Sequence, residues 1–331
     1  MSEMQRILII KFGALGDFAQ VFAAMSTIRR AHPEAQITLL TTPPYKALAA
    51  ASGLVDHIDT DGRPKSRRAW WAMVRRLRRA RYDRVYDLHT SSGSTRLWWA
   101  LLPKPPQWSG IARFGSHPQT RPDRNALHNL DRMADQLHVA GIGPAYALGQ
   151  APPSDLGFAV AASLAKAKAL GFDSVGARFG LAPPFALLVP GASASRPEKL
   201  WPTARYAELA AVLIARGVNV GVLGGPEQGP MAAQILAAAP AAIDLTGAKI
   251  DQMDFAGLGA EALLCVGNDT GPVHMATYAG APGVMLLSTR VSNPAHVGPR
   301  TAMVKLYAPD ISAISTQAVI EALETLLPAA A

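Results

Sequence analysis

The sequence is short of the features that mark secreted, disulfide-stabilised or membrane-spanning proteins. Its 331 residues include one cysteine, Cys265, so an internal disulfide or a cysteine-based metal site is excluded. No apolar run reaches the roughly 20 residues that span a bilayer. Charged residues make up only 17% of the chain and hydrophobic residues 49%, which is typical of a globular protein. Because an apolar strand is predicted from residue 6, we expect no secretion signal and a cytoplasmic location.

Positive charge is concentrated in one stretch. Residues 63–84 hold ten Lys or Arg and one acid, a net charge of +9 in a chain whose total is +8. Helical spacing of the apolar residues predicts a basic amphipathic helix at residues 66–82, with Trp70 and Trp71 near its start. Such a helix suits an anionic membrane surface. Nucleic-acid binding and simple packing of the apolar stripe on a sheet are the alternatives.

Short apolar runs alternate with helical patterns along the whole chain. Strands are predicted at 6–11, 36–41, 55–59, 84–88, 185–190, 218–223, 242–245, 262–267, 283–288 and 302–307. Helices are predicted at 17–31, 44–52, 66–82, 94–102, 127–140, 203–216, 229–238, 271–280 and 316–327. This alternation predicts an α/β protein with parallel sheets covered on both faces. The length accommodates two domains, and Pro152, Pro153 and the alanine-rich stretch 159–170 are predicted to join them.

The segment GNDTGPVH at residues 267–274 follows an apolar strand and opens a helix. Asp269 or Thr270 can cap that helix, and Pro272 suits its first turn. Free N–H groups and the positive end of the helix dipole form a site for phosphate. His274 can add a donor to the same anion. A plain strand–helix corner with a core histidine is the alternative.

The segment ILIIKFGALGDF at residues 7–18 is a second strand, glycine turn and helix start. Asp17 is either a helix cap or a carboxylate held beyond the end of a parallel strand, where α/β proteins bind ligands. A dinucleotide-binding turn fits poorly, because Lys11 replaces the first glycine of G-x-G-x-x-G. The next strand ends in Thr41 and Thr42, which cannot replace the acid that binds ribose.

These two segments together resemble glycosyltransferase family 9, which includes the heptosyltransferases of the lipopolysaccharide inner core. The Leu-Gly-Asp turn at 15–17 and the Asp-Thr-Gly-x-x-His signature at 269–274 carry the resemblance. The segments VPGAS at 189–193, KLWP at 199–202 and HNLDR at 128–132 add to it. The family implies a GT-B architecture, with two Rossmann-like domains and a central cleft. We place an acceptor-binding domain at residues 1–170 and a nucleotide-sugar-binding domain at residues 171–331. We expect the last helix to cross back to the first domain.

The resemblance implies an inverting, metal-independent transfer of a heptose or related sugar from a nucleotide sugar, with ADP-heptose expected. The acceptor is then a lipopolysaccharide core or another anionic glycan, reached by peripheral contact with the inner membrane, and no nucleic acid is expected. Asp17 is the candidate base and Lys199 the candidate partner of the leaving diphosphate. The candidate donor-binding residues are Ser193, Ser195, Glu227, Asp269, Thr270, Gly271 and His274. The candidate acceptor or membrane residues are Arg75, Arg76, Arg78 and Arg79.

Two further readings stay open. A nucleotide-sugar epimerase on a similar frame would release free sugar without an acceptor, and a non-catalytic anionic-lipid binder would tolerate loss of Asp17 and Lys199. The D-x-D pattern of Asp59 and Asp61 matches a metal motif of a different glycosyltransferase architecture, but it lies far in sequence from the phosphate segments. Residues 287–290 read Leu-Ser-Thr-Arg where the family usually shows Gly-Pro-Thr, so the donor can differ from ADP-heptose.

Overall fold

The computed structural model describes residues 4–193 and 196–326. The chain forms two compact units, Met1–Ser154 and Asp155–Ala331. The division precedes the expected boundary at residue 170, because the alanine-rich stretch is a helix of the second unit. Lys166 on that helix forms ion pairs of 2.9 Å with Asp251 and 3.0 Å with Asp254.

The described part of the first unit is built on one parallel six-stranded sheet. Its strands are β1 (Arg6–Ile10), β2 (Gln36–Leu40), β3 (His57–Asp59), β4 (Arg84–Asp87), β5 (Gln107–Gly110) and β6 (His117–Pro118). Its helices are α1 (Leu15–Ala31), α2 (Lys46–Ala51), α3 (Arg67–Ala80), α4 (Ser92–Ala100) and α5 (Asn129–Val139). The strand order β3-β2-β1-β4-β5-β6 switches direction between β1 and β4. Doubly wound sheets bind ligands beyond the carboxyl ends of the strands at such a point.

The described part of the second unit repeats this plan. Its strands are β7 (Phe185–Val189), β8 (Asn219–Val222), β9 (Ile243–Asp244), β10 (Leu264–Asn268), β11 (Gly283–Ser288) and β12 (Met303–Ala308). Its helices are α6 (Gly157–Ala169), α7 (Val175–Arg178), α8 (Thr203–Ala215), α9 (Gly229–Ala238), α10 (Gln252–Glu261), α11 (Gly271–Tyr278) and α12 (Thr316–Glu324). The order β12-β11-β10-β7-β8-β9 places the switch between β10 and β7, which are the strands that lead into the proposed phosphate segments.

Apolar side chains pack against both faces of the second sheet and form separate cores. Cys265 on β10 is fully buried, and burial raises the pKa of its thiol to about 12, so it packs as a small apolar residue. The expectation that the end of the chain crosses back to the first domain stays a prediction. Helix α12 packs on α8 and β11, and Val319 and Leu323 join the core of the second unit.

The predicted α/β fold class is confirmed. Several short strands and helices were not predicted. Strands β5 and β6 contain four and two residues, and α10 carries two glycines that weaken the helical pattern. Helix α1 begins at Leu15, with Ala14 at the N-cap position, so Asp17 lies inside the first turn and does not cap the helix. Among the described helices, none combines the length and apolar character that a bilayer crossing requires.

Candidate active site

Asp269 is the centre of the polar cluster at the carboxyl edge of the second sheet. It follows β10 and is 10% exposed. One carboxylate oxygen accepts from Lys199 Nζ at 2.6 Å and from Ser292 Oγ at 3.0 Å, and the other accepts from His274 Nε2 at 3.1 Å. Burial would raise the pKa of Asp269, but the hydrogen bond and charge of His274 and the charge of Lys199 outweigh it and hold the pKa below its ordinary value. Asp269 is therefore a fixed anion with three partners.

Asn268 joins the three segments that carry the family resemblance in this unit. Its side chain is fully buried. The amide oxygen accepts from the Trp201 backbone N–H and the Tyr206 hydroxyl, both at 3.2 Å. The amide nitrogen donates to the carbonyl oxygens of Pro190 at 2.8 Å and Gly191 at 3.1 Å. Because each of its hydrogen-bonding groups is used, Asn268 fixes the loop after β7 and the Lys199 segment beside the start of α11.

A cavity of about 350 Å³ lies beside this cluster and within the second unit. Ser193, Glu227, Thr270 and Gly271 line it, together with Gly191, Gly224, Gln228 and Phe255. Thr270 is the N-cap of α11, and its buried hydroxyl oxygen has no hydrogen-bond partner among the residues that the structure describes. The first N–H groups of a helix also lack partners within the helix. The cavity thus combines unused donors with an apolar wall, as an anionic nucleotide requires.

Gln228 controls the shape of this cavity. Its amide oxygen accepts from the Gly225 N–H at 2.8 Å. A Cβ on Gly224 would come within 2.9 Å of Gln228 Cβ, and a Cβ on Gly191 would come equally close to the end of the same side chain, so glycine at both positions leaves room for Gln228. The Gly-Gly-Pro-Glu turn at 224–227 follows β8, and Glu227 is exposed beside the cavity.

The structure sorts the donor-site candidates into two groups. Ser193, Glu227, Thr270 and Gly271 line the cavity, whereas Lys199 and His274 contact Asp269. His274 is 4% exposed, and its role as a direct phosphate donor stays a prediction. Ser195 lies outside the described residues.

Asp17 occupies the corresponding edge of the first unit. It is exposed in the first turn of α1. Its carboxylate accepts a long hydrogen bond of 3.4 Å from Asn129 Nδ2, and Arg132 donates in turn to the Asn129 amide oxygen. Gly13 has φ +108°, and a Cβ there would fall 2.5 Å from the Tyr45 hydroxyl oxygen, so the turn that positions Asp17 requires glycine.

Basic side chains lie near Asp17, and one of them is buried. Lys11 is 3% exposed, and its ammonium donates to the Leu88 carbonyl at 3.4 Å. Burial lowers the pKa of Lys11 and of Arg132, while the negative charge of Asp17 opposes both shifts. Burial also lowers the pKa of His89 to about 4, with Lys11 and Arg63 adding to the effect. Asp17 therefore lies in a positive environment that suits an anionic ligand.

Asp87 ends β4 in the same region and is fully buried. Burial raises its pKa to about 6, although the N–H groups of Thr90 and His89 donate to its carboxylate at 2.9 and 3.2 Å. The structure thus holds a carboxyl group of unusually high pKa next to the strand that precedes Asp17.

Two of the four candidate arginines on α3 contact other segments of the protein. Arg76 binds Asp59 and Asp61. Arg78 donates to the carbonyl oxygens of Ala100 at 2.9 Å and Leu102 at 3.0 Å. Arg75 and Arg79 are exposed. Arg76 and Arg78 therefore hold neighbouring segments in place, and the acceptor or membrane role expected of the four arginines stays a prediction.

The same contacts account for the D-x-D pattern. Asp59 and Asp61 neutralise Arg76, so their carboxylates serve an ion-pair network. Across residues 4–193 and 196–326, no cluster of three or more His, Cys, Asp or Glu side chains has the arrangement of a metal site.

Sequence reasoning missed several residues that the fold brings to these edges: Lys11, Asn129, Arg132, Gln228, Asn268 and Ser292. The HNLDR segment contains two of them, and its similarity to a family segment was the available signal. Ser292 lies in the loop after β11 that departs from the family pattern, so its contact with Asp269 had no signal in sequence.

The two sheets and the cavity define the class of protein to which this chain belongs. Two parallel doubly wound sheets, one with an anion-binding cavity at its switch point, are typical of nucleotide-binding α/β enzymes. The chain belongs to Glycosyltransferase family 9 (heptosyltransferase), whose sequence pattern matches residues 70–307.

Solved structures share the fold over nearly the whole chain. A family 9 glycosyltransferase from Veillonella parvula is 22% identical, with 97% of each chain covered and a TM-score of 0.77. The ADP-heptose lipopolysaccharide heptosyltransferase II of E. coli is 23% identical, with 97% of this chain and 98% of that one covered and a TM-score of 0.72. A putative glycosyltransferase of Haemophilus influenzae is 23% identical over 96 residues, which span 28% of its length. The GT-B fold expected from the sequence is confirmed.

Proposed function

We propose that this protein is an inverting glycosyltransferase that moves a heptose or related sugar from a nucleotide diphosphate sugar, with ADP-heptose as the expected donor. The acceptor is a lipopolysaccharide core or another anionic glycan. The observation that carries the proposal is the fixed Asp269 cluster beside a cavity with unused donors, in a chain of family 9.

On the donor side, the cavity takes the nucleoside. Glu227 binds ribose hydroxyls, and Thr270 with the N–H groups of α11 binds phosphate oxygens. Lys199 lies beside the start of the same helix, where a mobile ammonium can follow the charge that grows on the leaving diphosphate. Its present partner, Asp269, keeps His274 and Ser292 when Lys199 turns to phosphate, so the carboxylate stays hydrogen-bonded.

On the acceptor side, Asp17 takes the proton from the acceptor hydroxyl. The hydroxyl oxygen bonds to the anomeric carbon while the bond from that carbon to the diphosphate oxygen breaks, which inverts the configuration. The exposed position of Asp17 and its weak contact with Asn129 leave lone pairs available for this proton. Lys11, Arg63 and Arg132 supply the positive charge that an anionic acceptor needs.

The two other readings have less support. The family match favours transfer over epimerisation, and the Asp269 cluster beside a cavity favours a ligand-binding enzyme over a pure lipid binder. Metal independence stays a prediction, which full activity in EDTA would support. Action at the inner face of the inner membrane is part of the proposal, since the acceptor is lipid-linked.

A thermal-shift series across ADP-, UDP-, GDP- and dTDP-sugars tests the donor. Ligand binding raises the apparent stability by mass action, so we expect ADP-heptose to raise the melting temperature most. The variant Glu227→Gln should reduce that shift, whereas Glu34→Gln, an exposed glutamate of the first unit, should not. Equal shifts for all four nucleotides, or release of free sugar without an acceptor, would contradict the proposal.

A further inference from the structure

Two helices of the first unit present tryptophan and arginine to solvent on the same side of the sheet. Helix α3 exposes Trp71, which is 52% accessible, with Arg75 and Arg79 at four-residue spacing. Helix α4 exposes Arg96 and Trp99, which is 53% accessible. Residues four apart, or three apart, lie on one side of a helix.

The buried sides of these helices show that the exposed sides share a direction. Val74 and Leu77 of α3 and Leu97 of α4 belong to one core cluster on one face of the sheet. Arg78 of α3 also binds the carbonyl oxygen of Ala100, the last residue of α4. The helices are therefore neighbours in one layer, and their outer sides point away from the sheet together.

Phe114 extends this layer. Its side chain is 65% exposed, and its ring lies edge-on to the Trp99 ring with centroids 5.9 Å apart. The Arg113 guanidinium lies 5.9 Å from the Phe114 ring centroid. We name Trp71, Arg75, Arg79, Arg96, Trp99 and Phe114 the aromatic-basic face.

The chemistry of this face is unusual for a solvent-exposed surface. Large exposed aromatic clusters mark interaction sites. Neither α3 nor α4 contains an acidic residue, so the arginines have no acid on their own helices to neutralise them. Aromatic rings favour the boundary between headgroups and acyl chains, and arginines favour anionic headgroups.

We propose that the aromatic-basic face binds an anionic lipid bilayer, with Trp99 and Phe114 entering the headgroup boundary and the arginines contacting lipid phosphates. This inference rests on the proposed function, because a lipid-linked acceptor would be reached at a membrane surface. It moves the membrane contact from the four candidate arginines on α3 to a surface that α3 shares with α4. Arg76 and Arg78 are excluded from it, because they bind other segments of the protein.

Vesicle sedimentation of the full chain tests this surface without donor or acceptor. The probes are vesicles of phosphatidylglycerol with phosphatidylethanolamine, and phosphatidylcholine vesicles as the neutral control. We expect the parent protein to bind the anionic vesicles at low salt. Arg75→Gln with Arg79→Gln should weaken partitioning about thirtyfold, at roughly 1 kcal/mol for each arginine, and this loss should shrink as salt screens the charges.

Variants that lack the exposed aromatic rings distinguish insertion into the bilayer from attraction by charge. Trp99→Ala with Phe114→Ala should weaken partitioning by roughly tenfold at low and at high salt, because burial of apolar surface is not screened. Matched controls are Tyr307→Ala, an exposed aromatic residue of the second unit, and Lys168→Gln with Lys249→Gln, exposed lysines of that unit. These controls should bind vesicles as the parent does.

Other outcomes overturn the proposal. Parent protein that ignores anionic vesicles, or ring variants that bind them as well as the parent, would exclude the bilayer as the partner. Tight binding of an RNA or DNA oligonucleotide without vesicle binding would assign the face to nucleic acid. A dimer in sedimentation velocity that the ring variants dissociate would assign it to a second copy. Transfer to a delipidated acceptor saccharide, measured on the Trp99→Ala and Phe114→Ala double variant, should be unchanged and reports separately on the proposed enzyme activity.

Discussion

Asp17 and Asp269 both lie where a parallel strand gives way to a helix at the carboxyl edge of a doubly wound sheet, yet their surroundings differ sharply. Asp17 is exposed and accepts one long hydrogen bond of 3.4 Å among the described contacts. Asp269 is 10% exposed and accepts from three side chains. A carboxylate that takes a proton needs an available lone pair, whereas one that orients cations needs fixed partners. The same strand-to-helix geometry can therefore hold either a proton acceptor or a fixed anion, and the side chains that surround the carboxylate decide which.

A second pair of carboxylates sharpens this comparison. Asp254 in the second unit is fully buried, but it pairs with Lys166 at 3.0 Å and Arg178 at 2.8 Å. Burial would raise the pKa of Asp254, and these partners lower it instead. Asp87 in the first unit is equally buried, and its pKa is raised to about 6. Asp87 has no ion pair among the described contacts, whereas Asp254 has two, so burial decides the pKa of one carboxyl group and cationic partners decide that of the other.

The largest expected effect is loss of the acceptor base. Asp17→Asn keeps the size of the side chain and removes its basicity, so kcat should fall by roughly 10²–10⁴. Donor affinity, measured by calorimetry, should stay near that of the parent, because the donor cavity lies within the second unit. Turnover like that of the parent would remove Asp17 from the mechanism.

The Asp269 cluster should give the next largest effect. Lys199→Ala and His274→Ala should each weaken transition-state stabilisation by about 2–4 kcal/mol, measured as kcat/KM. The exposed Lys249, changed to Ala, is the matched control and should leave kcat/KM unchanged. Unaltered kinetics and donor affinity in both cluster variants would exclude the proposed phosphate site.

The contrast between Asp87 and Asp254 predicts opposite pH dependence of stability. The pKa of Asp87 is about 6 in the folded chain against 3.8 ordinarily, so its contribution to the unfolding free energy is present below pH 4 and lost as the pH rises through 6. Asp87→Asn should therefore match the parent near pH 4 and exceed it at pH 7 by up to about 3 kcal/mol. Asp254→Asn should instead destabilise at pH 7, where its ion pairs are charged. Chemical unfolding at both pH values measures this, and a pH-independent effect of Asp87→Asn would contradict it.

The smallest effect should come from Ser292. Ser292→Ala removes one of three donors to Asp269, which costs about 1.5–3 kcal/mol for a hydrogen bond to a charged group. We expect a fall in kcat with little change in donor affinity, and recovery in Ser292→Thr, which keeps the hydroxyl. A loss that threonine does not restore would indicate a packing role for the loop.

The sequence by itself determined the fold class and the main segments of the site. Strands such as β1, β7 and β10 are continuous apolar runs, because a parallel sheet is covered on both faces. The glycine turn before α1 and the Asp-Thr-Gly-Pro start of α11 have strong local chemistry, so both appeared where expected. Elements with weak local signals, such as the two-residue β6 and the glycine-containing α10, were missed because pairing and packing form them.

Only the tertiary structure decided which charges are engaged. Lys199 and Asp269 are 70 residues apart in sequence, and Ser292 is 23 residues beyond Asp269. No local pattern specifies such pairs, because strand order and loop packing bring them together. The same holds for α3, where spacing predicted a basic helix but only the fold separated Arg76 and Arg78, bound to other segments, from the exposed Arg75 and Arg79. The periodicity of apolar residues predicts which side of a helix or strand is buried. The partners of each charged side chain instead follow from contacts between segments that are distant in the sequence.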